Sequence, residues 1–285
     1  MDEWSELTLN EFKIYLEQLG RARRTVSTYS GSVRLFFSLY EKLSITHLKE
    51  YRDHLIGHYE INTVNIRVYG MNQFLGFLSK RELLPEDFTE EGIYRMQPVK
   101  AQKKTYLDTV ISQRDYEKLK RRLKKDGDLY WYFVVRFLGS TGARVSELLQ
   151  IKIEDLHAGY LDLYSKGGKI RRLYFPRVLC LEAIPWFAER GIWSGFIFLN
   201  KHGKLITPRG IELQLKQLAR RYKINPDTVY PHSFRHRFAK NFLKKFNDIT
   251  LLADLLGHDS IETTRIYLTR SSQEQKALLD RIIIW

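Results

Sequence analysis

Residues 160–176, YLDLYSKGGKIRRLYFP, are the one clear place in this chain where apolar and polar side chains alternate with a strand's period of two. Two alternating runs flank Lys-Gly-Gly-Lys, a glycine turn that reads as a β-hairpin. An isolated hairpin has too little apolar face to be stable alone. The rest of the fold must therefore come from helices, and the expectation is a mainly α chain with one small β element.

Helical spacing fills the N-terminal part. Thr8-Leu9-Asn10-Glu11 has the form of a capping box, followed by Phe12, Ile14, Tyr15, Leu16 and Leu19 and a stop at Gly20. Residues 25–42 carry Val26, Tyr29, Val33, Phe36, Phe37 and Tyr40 at helical spacing. A third helix is expected after Thr46 and a fourth after Asn62, through Val64, Val68, Met71, Phe74, Leu75 and Leu78. Four short helices make a compact bundle.

From Leu84 to Thr105 the periodicity fades, with Pro85, Pro98 and the basic run KAQKK at 100–104. The spacing thus predicts two domains, 1–97 and 107–285, joined by a basic linker at 98–106. That linker reads equally as a solvated tether or as a track for a phosphate backbone. In the second domain a helix opens at Ser112, an apolar one runs from about Leu129 to Leu138, and others fall near 177–190, 208–222, 232–246, 248–256 and 260–268.

Charge separates the two parts. Residues 1–97 hold 12 Lys+Arg against 14 Asp+Glu, a balance of −2, and 98–285 hold 35 against 19, a balance of +16. A polyanion is the expected partner, gripped by the second part. The single cysteine, Cys180, rules out an internal disulfide framework and a Cys-rich zinc site. No run is long and apolar enough for a membrane span, and the N-terminal MDEWSELTLNEF lacks a signal-peptide pattern. No membrane partner and a cytoplasmic location are expected.

Five segments of the basic part carry polar groups with chemical potential. In TGARVSELL, Gly142 ends an apolar helix, Arg144 opens the next, and Glu147 stands on the same face three residues on. Arg144 is open to two readings there, a fixed cation or a cap on the preceding helix paired with Glu147. Lys166 and Lys169 sit at the hairpin tip, placed to enter a DNA groove or merely exposed on a turn. PHSFRHRFA places His232 and Arg235 at i, i+3 at a helix start. His232 and His236 also have the i, i+4 spacing of a zinc-protease helix, but Ser233 stands where that motif needs Glu, so a metal site is not expected. The last two are Leu256-Gly257-His258 and Tyr267, nine residues after His258.

Such a set suits phosphoryl transfer. A tyrosine with a reference pKa of about 10 becomes a nucleophile once its proton is taken and the phenolate stabilised. Two arginines and a histidine aimed at non-bridging phosphate oxygens would supply that stabilisation. A lysine could protonate the departing 5′ oxygen.

These motifs, in order and with intervals of 23 residues from Arg235 to His258 and 9 from His258 to Tyr267, resemble those of a tyrosine recombinase of the compact Xer type. TGARVSELL resembles the family's first arginine box, YSKGGKIRR its hairpin lysine motif, PHSFRHRFA its His-x-x-Arg box and LLGHDSIETTRIY the box holding the nucleophile. The resemblance spans the whole chain. It implies a helical core-binding (SAM-like) domain and a mixed α/β catalytic domain closing on DNA as a C-shaped clamp. It makes Tyr267 the nucleophile of a 3′-phosphotyrosyl intermediate formed without metal, ATP or other cofactor. Arg144 and Arg235 would grip the scissile phosphate, with Glu147 orienting them. Lys166 would be the general acid, Lys169 its fallback, His232 an acid/base near the phenol, and His258 a donor to a phosphate oxygen.

The chain is expected to start directly in the core-binding helices, without the arm-type domain of larger relatives. Expected partners are therefore double-stranded DNA at short, paired inverted-repeat sites and three further copies, in a tetramer on that DNA. Chromosome or plasmid dimer resolution is the expected role, with integration or excision of a mobile element as the alternative. Below both stand a type IB topoisomerase and a non-catalytic DNA-binding protein. The tail at 271–285, SSQEQKALLDRIIIW, is expected to contact a neighbouring subunit with its apolar end, with packing on its own domain as the alternative.

Overall fold

The computed structural model describes residues 3–85, 88, 94–100, 109–164, 170–258, 260–268 and 279–280. The chain divides into two compact units, Met1–Lys103 and Lys104–Trp285. Lys166 and Lys169 lie outside the described residues, as does the tail apart from Leu279 and Asp280. Among the described residues no helix is long and apolar enough to cross a membrane.

The first unit holds helices α1 (Glu3–Gln18), α2 (Arg23–Leu39), α3 (Ile45–His58) and α4 (Ile61–Lys80). Its core is aromatic. Phe12 lies 5.2 Å from Phe74 and 5.6 Å from Phe77 between ring centroids, and Phe36 meets Tyr51 edge-on at 5.4 Å. Two boundaries differ from the sequence reading. The Thr8–Glu11 capping box lies inside α1, which starts five residues earlier than Thr8. The early turn is held by tertiary packing: Trp4 stacks edge-on against Phe37, while Ser5, Thr8 and Leu9 are buried. The third helix starts at Ile45 because the Ser44 side chain accepts from the His47 N–H at 3.1 Å, taking the cap expected from Thr46.

The second unit begins with α5 (Gln113–Lys125), capped by Ser112 as its sequence indicates, and α6 (Leu129–Thr141). Short helices α7 (Val145–Leu148) and α8 (Ile153–Ala158) lead into strands β1 (Tyr160–Tyr164) and β2 (Ile170–Tyr174). The strands pair antiparallel, with Leu163 opposite Arg171 and Leu161 opposite Leu173. There follow α9 (Arg177–Ala188), α10 (Pro208–Arg221), α11 (Pro231–Phe246), α12 (Ile249–Leu256) and α13 (Ile261–Arg265), which runs into a 3-10 turn at Ile266–Leu268. The mainly α fold with one small hairpin is thus the one the periodicity implies.

Helix α6 is the central post of this unit. Phe133, Val134, Phe137 and Leu138 are buried in one cluster with Leu163, Leu173, Phe187 and Phe198. A second, smaller cluster joins Ala239 and Leu243 of α11, Leu252 and Leu256 of α12, and Tyr267. Tyr267, only 5% exposed, is therefore part of a core that α11 and α12 build.

Candidate active site

Three arginines gather where helices end. The last carbonyls of an α-helix have no partner within it and carry a partial negative charge. Helix α6 ends at Gly142 and α12 at Gly257, both left-handed, with φ of 65° and 61°. From the start of α11, Arg235 donates through Nη1 to the Gly142 carbonyl at 2.8 Å and through Nη2 to the Leu256 carbonyl at 2.6 Å. Arg171 of β2 donates through Nε to the Leu255 carbonyl at 2.9 Å, and Arg144 through Nη2 to the Gly257 carbonyl at 3.3 Å. Four carbonyls at two helix C-termini thus fix three guanidinium groups together.

Gly257 makes this approach possible. A Cβ built there would lie 2.1 Å from Cδ of Arg171. Its positive φ and this contact both demand glycine.

Glu147 ties the cluster. Its carboxylate accepts from the Arg144 backbone N–H and from Arg144 Nη1, each at 2.7 Å, and from Arg171 Nη1; Arg235 Nη1 stands 3.9 Å away. Burial pushes the Glu147 carboxyl up, but Arg171 and Arg144 outweigh it and hold it below the usual range. The alternative reading of Arg144 is half met: it pairs with Glu147, but the end of α6 is capped by Arg235.

The cluster carries excess positive charge, three guanidiniums against one carboxylate. Arg235 has a side chain only 1% exposed, and burial, then Arg144, pushes its pKa down to about 10. Burial likewise lowers that of Arg171. Arg235 Nε and Arg171 Nη2 are buried without a partner among the described residues. Arg144, by contrast, has a side chain 40% exposed. A buried site short of negative charge and partly unsatisfied is costly unless an anion completes it. A phosphate diester has the charge and the acceptors to do so.

Imidazoles surround Tyr267. The His258 ring lies nearly parallel to the Tyr267 ring at 6.0 Å, and the His236 ring is tilted against it at 5.3 Å. His232 stacks on His236 at 5.1 Å. His258 Nε2 stands 3.0 Å from Arg235 Nη2, and Nδ1 stands 2.8 Å from Thr264 Oγ1. Arginine can only donate, so Nε2 accepts and Nδ1 carries the proton. Burial, then Arg235 and Arg144, brings His258 down to about 4, and burial, then Arg235, lowers His232. Both are neutral at physiological pH.

Arg144, Glu147, His232, Arg235, His258 and Tyr267 therefore meet in one place, 123 residues apart at the extremes of the sequence (267 − 144). The sequence reading missed Arg171 and gave His236 no role beyond the rejected metal pair. Arg171 was legible in principle, since alternation along β2 puts it on the same face as buried Leu173. Its neighbour Arg172 faces outward and pairs with Asp162.

Comparison with known proteins bears on the family and the fold. Residues 109–274 match the phage integrase family. The tyrosine recombinase XerA of Pyrococcus furiosus is 29% identical over 283 residues, covering 96% of this chain and 93% of XerA. The tyrosine recombinase XerC of Pseudomonas aeruginosa (strain LESB58) is 35% identical over 147 residues, so that alignment spans about half of each protein, 50% of this chain and 48% of XerC. The crystal structure of XerH site-specific recombinase bound to difH substrate, a pre-cleavage complex, shares the fold with a TM-score of 0.69 at 20% identity, over 88% of this chain and 78% of that one.

Proposed function

The chain belongs to the phage integrase family, and on that premise we propose that it is a site-specific tyrosine recombinase that cuts and rejoins DNA through Tyr267. The observation that carries this reading is the meeting of a buried tyrosine with an under-neutralised arginine cluster and neutral imidazoles.

Tyr267 attacks the scissile phosphorus and the 5′ oxygen leaves, giving a 3′-phosphotyrosyl link whose bond energy is kept for religation. Arg144 and Arg235 bind the non-bridging oxygens, where charge develops in the transition state. Glu147 and Arg171 hold these two cations in place. Arg144, the exposed member, is the one a duplex reaches first. His258 turns toward a phosphate oxygen when the phosphate takes over its bond to Arg235. Lys166, or Lys169 in its place, protonates the 5′ oxygen. The phenol's proton passes to an imidazole of α11, the role that the resemblance assigns to His232.

Residues 1–97 form the core-binding domain of this reading, 107–285 the catalytic domain, and 271–285 a tail for subunit contacts. The DNA is a duplex with paired inverted-repeat sites, on which four copies assemble in the cytoplasm. An Xer-like role in resolving chromosome or plasmid dimers is favoured by the alignment with XerA over nearly the whole chain. A nicked suicide duplex tests the reading, because its cleaved strand diffuses away and traps the adduct. An SDS-stable protein–DNA band that is lost in Tyr267→Phe supports it. Relaxation of supercoiled plasmid lacking paired sites would mark a topoisomerase instead.

A further inference from the structure

His236 is the polar group at the site that the reading above leaves without a task. It lies one turn after His232 on α11, facing the same way as His232. Among the described residues, the aromatic rings in contact with Tyr267 are those of His236 and His258. The ring that His232 meets is that of His236, at 5.1 Å.

The two imidazoles that touch Tyr267 differ in what their nitrogens are doing. His258 is fully engaged: Nε2 accepts from Arg235 and Nδ1 donates to Thr264. Its Nε2 lone pair is held by Arg235 here, and in the proposed reaction the ring turns to a phosphate oxygen instead of the phenol. His236 is half-buried, and its Nδ1 is enclosed without a partner among the described residues. A buried imidazole nitrogen without a partner costs free energy, and a proton acceptor needs a lone pair that nothing else holds.

Resting on the proposed function, we propose that His236, rather than His232, takes the proton from Tyr267 when the nucleophile attacks. The Oη–H bond of Tyr267 breaks and its proton passes to an imidazole nitrogen of His236. The phenolate electron pair forms the Oη–P bond, the P–O5′ bond breaks, and the 5′ oxygen receives a proton from Lys166. Religation reverses each step, and the His236 imidazolium returns its proton to the departing phenolate. His232, stacked on His236, is a positioning residue that holds that ring in place.

The groups facing His236 are His232, Arg235 and Lys240 on its own helix, His258 after α12, and Tyr267. Burial first, then the charges of His232 and Arg235, pushes its pKa down to about 4, so at neutral pH the ring is unprotonated. The incoming phosphate opposes the arginine charge and raises that value during the reaction.

The test uses the full chain and a nicked suicide duplex built on the sequence that Tyr267→Phe selects from a random DNA pool. Adduct formation is followed from pH 7 to 9.5 for the unmodified chain, His232→Phe, His236→Phe and His236→Gln, with duplex binding and thermal unfolding as controls. Phenylalanine keeps the ring stack, and glutamine keeps a polar group if phenylalanine packs badly. At pH 7 both His236 variants are expected to bind DNA normally and to form adduct about 10²–10⁴ times more slowly, the usual size of general-base catalysis. That deficit should shrink as pH rises, because hydroxide then removes the proton. A merely structural defect has no such pH relief. A deficit equal at every pH, no deficit, or pH relief confined to His232→Phe overturns the assignment while leaving the recombinase reading intact. An unmodified chain that forms no adduct overturns both.

Discussion

Arg235 Nη2 donates to His258 Nε2 at 3.0 Å, so the phosphate-binding cation sets the tautomer of the histidine beside the nucleophile. The proton forced onto Nδ1 is received by Thr264 Oγ1, a fully buried hydroxyl at the end of α13. Thr264→Val keeps the shape and removes the acceptor. It should lower stability by about 1–3 kcal/mol, the cost of one buried unpaired donor, and slow cleavage while leaving DNA affinity close to normal. Thermal unfolding and suicide-substrate kinetics check both halves. Unchanged kinetics would show that the tautomer does not matter.

The histidine cluster also makes an acid limit. His236 and His258 have pKa values of about 4 in the folded chain against an ordinary 6.5, through burial first and neighbouring positive charge second. The unfolded chain therefore binds more protons between those values, and stability falls as pH drops from about 6.5 toward 4. Glu147, with its lowered pKa, contributes stability that is lost only below its unfolded value of 4.5. Urea midpoints measured from pH 7.5 to 4.5 should fall, and less steeply in His236→Phe.

Arg144 and Arg235 should separate stability from catalysis. Each removed donor should cost roughly 10²–10³ in cleavage rate. Arg235→Ala also leaves the Gly142 and Leu256 carbonyls without this donor inside the protein, and a loss of about 2–4 kcal/mol in stability is expected. Arg144 is much more exposed, so Arg144→Ala should unfold close to the unmodified temperature. Equal unfolding temperatures for the two variants would contradict the burial argument.

Gly257→Ala should damage the site without touching a charged group. Its Cβ would meet Arg171 Cδ at 2.1 Å on a residue with φ of 61°. Arg171 must then leave the Leu255 carbonyl and loosen its hold on Glu147. Expected are a lowered unfolding temperature and about tenfold slower cleavage, with a comparable slowing in Arg171→Ala, which loses the same two contacts without the clash. Normal cleavage in Arg171→Ala beside slow cleavage in Gly257→Ala would point to backbone strain alone.

Lys166 can be tested through the leaving group. A duplex with a 5′-bridging phosphorothioate needs no protonation of the departing atom, so it should rescue Lys166→Ala and not Arg144→Ala. Rescue of Lys169→Ala alone would transfer the role to the second lysine.

The sequence by itself determined most of the elements and named most of the polar groups that meet around Tyr267. Period-two alternation at 160–176 and helical spacing elsewhere report burial of one face, a local property, and the described hairpin and most helices follow them. The capped start at Ser112 and the glycine stops at 142 and 257 were legible for the same reason, since caps are contacts within a few residues. The fit of motif spacing to a known family brought out Arg144, Glu147, His232, Arg235, His258 and Tyr267. Tertiary structure decided what no local pattern holds. Helix α1 begins at Glu3 because Trp4 finds Phe37. Arg171 serves the site because β2 delivers it to Glu147 and to the end of α12. The imidazole nearest Tyr267 is His236 because α11 packs that turn, one beyond His232, against the closing 3-10 turn. Such contacts depend on which helix ends converge in space, and a carbonyl at a helix C-terminus has no sequence signature for the distant arginine that will satisfy it.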